Sequence, residues 1–83
     1  MIPTHEAVRK CAVRYYDFDT KDTELINFIS EIIHGCNVGM PINKLNRWLG
    51  YVQDILIDRG FTTVDEERDF SCPLFYPLDY PDA

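Results

Sequence analysis

Eighty-three residues, 46% of them apolar, make one hydrophobic core and not two, and a chain of this size buries roughly 60% of its unfolded surface, enough to fold without disulfide staples. The net charge is −6, and residues 60–83 carry −5 of it, with six acids against Arg68 alone; that balance repels nucleic acid and favours basic partners. No apolar run approaches the ~18 residues of a membrane span, and three widely spaced cysteines behind a start without a charged n-region or apolar h-region point to free thiols in a reducing cytoplasm.

Between Thr4 and Phe18 the apolar positions Val8, Cys11, Ala12, Tyr15 and Phe18 recur at intervals of three and four, which predicts a helix started by Pro3 and Thr4. Asp19, Thr20 and Asp22 then supply N-cap oxygens and negative charge ahead of Leu25. A second helix follows, with Leu25, Ile26, Phe28, Ile29, Ile32, Ile33 and Cys36 on one arc, ending at Gly35 or in the Asn37–Gly39 turn.

Pro41 as a first helical residue and Gly60 as the glycine past the end frame a third helix of about 19 residues. Ile42, Leu45, Leu49, Val52 and Leu56 share its inner face, and Trp48, Tyr51 and Ile55 widen the apolar arc to about half the circumference. A face that broad predicts the central helix of the domain. Thr63 to Glu66 has the form of a capping box, opening a fourth helix of about two turns that stops before Pro73. Pro73, Pro77 and Pro81 recur every four residues, so residues 71–83 are expected to be extended, with Phe70, Leu74, Phe75, Tyr76, Leu78 and Tyr80 packed back on the core. The predicted class is therefore all-α: one domain, residues 1–83, of three main helices and a short fourth, with an extended proline-aromatic tail.

Motifs of chemistry are sparse. Cys11, Cys36, Cys72, His5 and His34 lack the paired Cys-x-x-Cys or His-x3-His spacing with which one turn supplies two zinc ligands, so no metal or cofactor is expected. Two histidines and no glycine-rich phosphate loop leave nothing to activate a nucleophile, and the chain is not expected to be an enzyme. Asn43, Lys44 and Arg47, at the start of the third helix, suit phosphates and base edges and raise a helix-turn-helix alternative. Against it stand a Gly35–Met40 turn longer than the usual three or four residues, only two cations, and the acidic charge.

The segment Asn43 to Asp54 (Asn-Lys-Leu-Asn-Arg-Trp-Leu-Gly-Tyr-Val-Gln-Asp), with Thr63 to Phe70 and the Cys-Pro-Leu-Phe run from Cys72, resembles small proteins encoded by tailed bacteriophages and prophages. The resemblance spans about half the chain and carries no catalytic signature. It implies a phage accessory product acting in the host cytoplasm, of a kind that often binds and inhibits a host defence or nucleic-acid-handling protein, anti-CRISPR proteins included. The leading expectation is thus stoichiometric binding to a larger host protein. Asp65, Glu66, Glu67 and Asp69 would steer the encounter and Tyr76 and Tyr80 would hold it; a homodimer through apolar surface on the third helix is the further possibility.

Overall fold

The computed structural model describes residues 2–18 and 21–79. Among them the chain is all-helical, without strands. Helix α1 (Pro3–Arg14) starts on Pro3, whose missing N–H belongs to the turn that has no intrahelical acceptor in any case. Regular helix stops at Arg14, four residues short of the expected end, and a 3₁₀ turn over Tyr15–Asp17 tightens the exit. That exit swings Phe18 into extended backbone, where its ring stacks 5.9 Å from Tyr15 and 6.4 Å from Phe61.

Helix α2 (Thr23–Val38) is capped by Asp22, whose Oδ1 accepts from the Leu25 N–H at 3.1 Å. Asp19 and Thr20, the other expected caps, lie outside the described residues. The helix runs through Gly35 and ends at Gly39, in left-handed backbone with φ 78°, while the Met40 N–H closes back on the Gly35 carbonyl at 2.9 Å, a Schellman-type stop. Helix α3 (Ile42–Asp58) follows Pro41 directly and is closed by Arg59 and by Gly60 at φ 79°. Its bounds match the Pro41–Gly60 frame to within a residue at the start.

The core is Val8, Cys11, Ala12 and Tyr15 from the first helix and its exit, Leu25, Ile29, Ile32 and Cys36 from α2, and Leu45, Leu49, Val52 and Leu56 from α3. The central helix is α1 and not α3, contrary to the reading of the broad α3 arc. It packs against α2, α3 and α4, whereas α3 packs against α1 and α2. The physical reason is side-chain size. Ala7, Cys11 and Ala12 are small and buried, so neighbouring helices approach α1 from several sides; on α3 the outer part of the arc stays at the surface, with Tyr51 60% exposed.

Helix α4 (Val64–Asp79) is the largest departure from expectation: it has four turns where two were predicted, and Pro73 and Pro77 lie inside it. The segment from residue 71 is therefore helical as far as Asp79 and not extended, and it docks on α1; residues 80–83 lie outside the described residues. Each proline withholds an N–H from the carbonyl four residues back, at Asp69 and at Pro73, and disfavours the helix by about 3 kcal/mol relative to alanine. Opposing that cost, Leu74 and Phe75 pack against the core, whereas Phe70 and Tyr76, expected to pack with them, are exposed. Replacing Pro73 and Pro77 together by alanine should therefore deepen the 222 nm ellipticity and raise the melting temperature. A double variant with less helix than the parent would show that the prolines are not helical residues.

Candidate functional site

The side chains of α4 divide by helical position. At about 100° per residue, Glu67, Ser71, Leu74 and Leu78 form one stripe, at spacings of four, three and four, and all are buried or half-buried. Asp65, Asp69, Cys72 and Tyr76 form the opposite stripe with the same spacing, flanked by Glu66, Phe70, Pro73 and Pro77, and all eight are exposed. The outward side of α4 is thus acidic in its first half and aromatic and proline-rich in its second. Phe70 is 37% and Tyr76 54% exposed. Tyr80, paired with Tyr76 in the sequence reading, lies outside the described residues.

Of the four acids grouped as a steering surface, Asp65, Glu66 and Asp69 are exposed, and Glu67 is not. It is 6% exposed, on the inward stripe, and its carboxylate is a junction between α4 and the exit of α1. Its Oε2 accepts from the Arg14 guanidinium at 2.7 Å and from the Thr62 hydroxyl at 2.7 Å, and its Oε1 accepts from the Tyr15 hydroxyl at 2.7 Å. Burial pushes the Glu67 carboxyl upward, but the hydrogen bonds from Arg14, Thr62 and Tyr15 outweigh it and hold the group below its ordinary value. On the other side of the junction, burial first and the Glu67 hydrogen bond second push the Tyr15 hydroxyl strongly upward, so it stays protonated as a donor. Burial, together with the Glu67 charge and against that of Arg14, also lifts the Cys11 thiol to about 11, which makes it a packing residue and not a nucleophile. Arg14 is held between two rings, 5.1 Å from the Phe18 centroid and 4.9 Å from that of Phe70.

The capping box at the start of α4 is half formed. The Glu66 N–H donates to Thr63 Oγ1 at 3.1 Å, as expected, but the Glu66 carboxylate lies 3.1 Å from the Thr62 hydroxyl and shares its single proton with the closer Glu67. Arg14 and Thr62 were not singled out in the sequence, and Tyr15 only as an apolar position of the first helix. The signal that could have found them is the place of Glu67 in register with Ser71, Leu74 and Leu78, which appears only if α4 is carried past Pro73.

Asn43 and Arg47, from the helix-turn-helix alternative, are exposed, and Lys44 holds its Nζ 4.9 Å over the Trp48 ring. The long turn counted against that alternative is not present: α2 continues to Val38, leaving the three residues Gly39, Met40 and Pro41 before α3. Cys36 belongs to the core, and His5 Nε2 donates to the Met40 carbonyl at 2.6 Å. Among the described residues no three His, Cys, Asp or Glu side chains come together to hold a metal ion, and no helix is long and apolar enough to cross a membrane. No family model matches the sequence, and no curated protein or solved structure matches it significantly.

Proposed function

We propose that the chain acts without catalysis, by stoichiometric binding to a larger protein that presents a cationic surface, and that the outward side of α4 is the contact. The observation that carries this reading is the exposure of Phe70 and Tyr76 on the same side of one helix as Asp65, Glu66 and Asp69. Acids in a first turn suit the helix macrodipole and need no partner to explain them. Phe70 also stands against the Arg14 guanidinium of the same chain, yet both rings stay open to water beside these acids, and aromatic anchors beside steering charges are the composition of an interface. The resemblance to phage accessory proteins suggests a host defence or nucleic-acid-handling protein as the partner, with inhibition, anti-CRISPR-like, as the outcome.

Capture from a bacterial lysate, before and after nuclease treatment, would supply the partner, and the triple variant D65N/E66Q/D69N would then test the surface. Its association at low salt should be slower by about an order of magnitude, with a flatter dependence on ionic strength and little change in dissociation. Unchanged association at low salt would sink the electrostatic part of the reading. Glu67 is left in place because its loss would test the fold and not the contact.

The three-residue turn between α2 and α3 supports a second reading, a small DNA-binding regulator whose α3 carries Asn43, Lys44 and Arg47. It requires a gel shift that weakens with salt and is lost in the double variant K44A/R47A. No shift at low salt removes it.

A further inference from the structure

Between α2 and α3 lies a groove of about 320 Å³ in which Leu25, Phe28 and Ile55 meet the Tyr51 ring. Past Tyr51 it continues as a shallower hollow bounded by Asp54 and Asp58. No described residue of α4 lines either part, so this face is separate from the outward side of α4.

The charges around the groove do not balance. Arg59, at one end, is engaged with Asp22 at 2.8 Å, and that contact, followed by the Leu25 N–H, holds the Asp22 carboxyl below its ordinary value. Among the described residues Glu24, Asp54 and Asp58 have no cation of this chain within ion-pair distance. The placement of Asp54 and Asp58 also works against folding. They stand one turn apart, where like charges repel, in the last two turns of α3, at the negative end of the helix macrodipole, and no basic residue occupies that last turn.

The aromatic lining continues a row whose other end is already occupied by a cation. Trp48 and Phe28 are 5.4 Å apart, Phe28 and Tyr51 5.7 Å, and Lys44 sits over the Trp48 face. At the Tyr51 end the ring is exposed and the neighbouring groups are acids. We propose that this groove docks an arginine-bearing segment of a partner protein. The guanidinium stacks on Tyr51 and hydrogen-bonds to Asp54 and Asp58, while an adjacent apolar side chain enters between Phe28 and Ile55. A planar guanidinium meets both demands at once, stacking and forked donation; a lysine ammonium can sit over a ring and donate, but it has neither a plane to stack nor a rigid fork to reach two carboxylates. The proposal stands whether or not α4 binds a partner.

The test is an amide chemical-shift titration of the full chain with an acetylated, amidated Leu-Arg-Arg-Leu peptide and with its Leu-Lys-Lys-Leu counterpart. The arginine peptide should shift Phe28, Tyr51, Asp54 and Asp58 and bind more tightly than the lysine peptide. Y51A and D54N/D58N should each weaken it by about tenfold or more, with D65N/E66Q/D69N leaving it unchanged. D54N/D58N should also melt a few degrees higher than the parent, because it relieves repulsion that only the partner relieves otherwise. Shifts confined to α4, equal binding of the two peptides, or full binding by Y51A would each overturn the proposal.

Discussion

Replacing Glu67 by alanine should remove about 3–5 kcal/mol of stability, the cost of leaving one member of a buried ion pair without its partner. Arg14 has a side chain only 22% exposed and would lose its carboxylate, while the Tyr15 hydroxyl, fully enclosed, would lose its acceptor. A domain of this length has about 4–12 kcal/mol in all, so the variant should lie near the edge of folding, with a much lower urea midpoint. Glu67→Gln should lie between, since the amide keeps the shape and one acceptor oxygen but turns an NH2 toward donors. A Glu67→Ala midpoint within error of the parent would show that the junction is not what fastens α4.

The same junction predicts the direction of acid sensitivity. A carboxyl held below its ordinary value of 4.5 contributes stability that is fully present above that value and is lost as pH falls through the lower value of the folded state. The melting temperature of the parent should therefore drop below about pH 4.5, and more steeply than that of Glu67→Gln, which has nothing to protonate at this position. Asp22 is shifted the same way by Arg59 and adds to the slope in both proteins.

Where local chemistry decided the outcome, the sequence was a good guide: a cap in the Asp19–Asp22 cluster, the stop at Gly60 and the Pro41 boundary are each read from a few residues, and Gly39 is the end of α2 in one of the two alternatives, the other being Gly35. Reading failed where packing overrode propensity. The proline rule forbids helix at Pro73 and Pro77, yet α4 passes through both, because an inward stripe of Leu74 and Leu78 in register with Glu67 is available only to a helix. Treating Glu67 as one of four like acids followed from ending the helix early; with the helix carried on, its inward position is legible. The central role of α1 was hidden for another reason. Width of an apolar arc measures how much surface a helix offers, not how many neighbours reach it, and close approach depends on the small residues Ala7, Cys11 and Ala12. The outward stripe of α4 was half legible, since the acids stand out in composition while the alignment of Asp65 with Tyr76 needs the third turn.

Gly35 should tolerate no larger side chain. On propensity alone, alanine in the interior of α2 would stabilise it by about 1 kcal/mol. But a Cβ at this position would lie 2.7 Å from Met40 Sδ and 2.8 Å from Leu45 Cδ2. The methionine is unbranched and can swing aside; Leu45 is completely buried at the contact of α2 with α3 and has nowhere to go. Overpacking of this kind costs about 1–3 kcal/mol, so Gly35→Ala should come out destabilised despite its better propensity, and Gly35→Val, with two further methyl groups and poorer propensity, should lose about 3 kcal/mol. Urea unfolding of both would measure this. The decisive comparison is the double variant G35A/M40A: removing the methionine side chain frees half the contested space, so the pair should be less destabilised than the sum of the single losses. Strict additivity would mean that Leu45 alone sets the limit, and a stabilised Gly35→Ala would mean that α2 and α3 do not approach each other closely at this glycine.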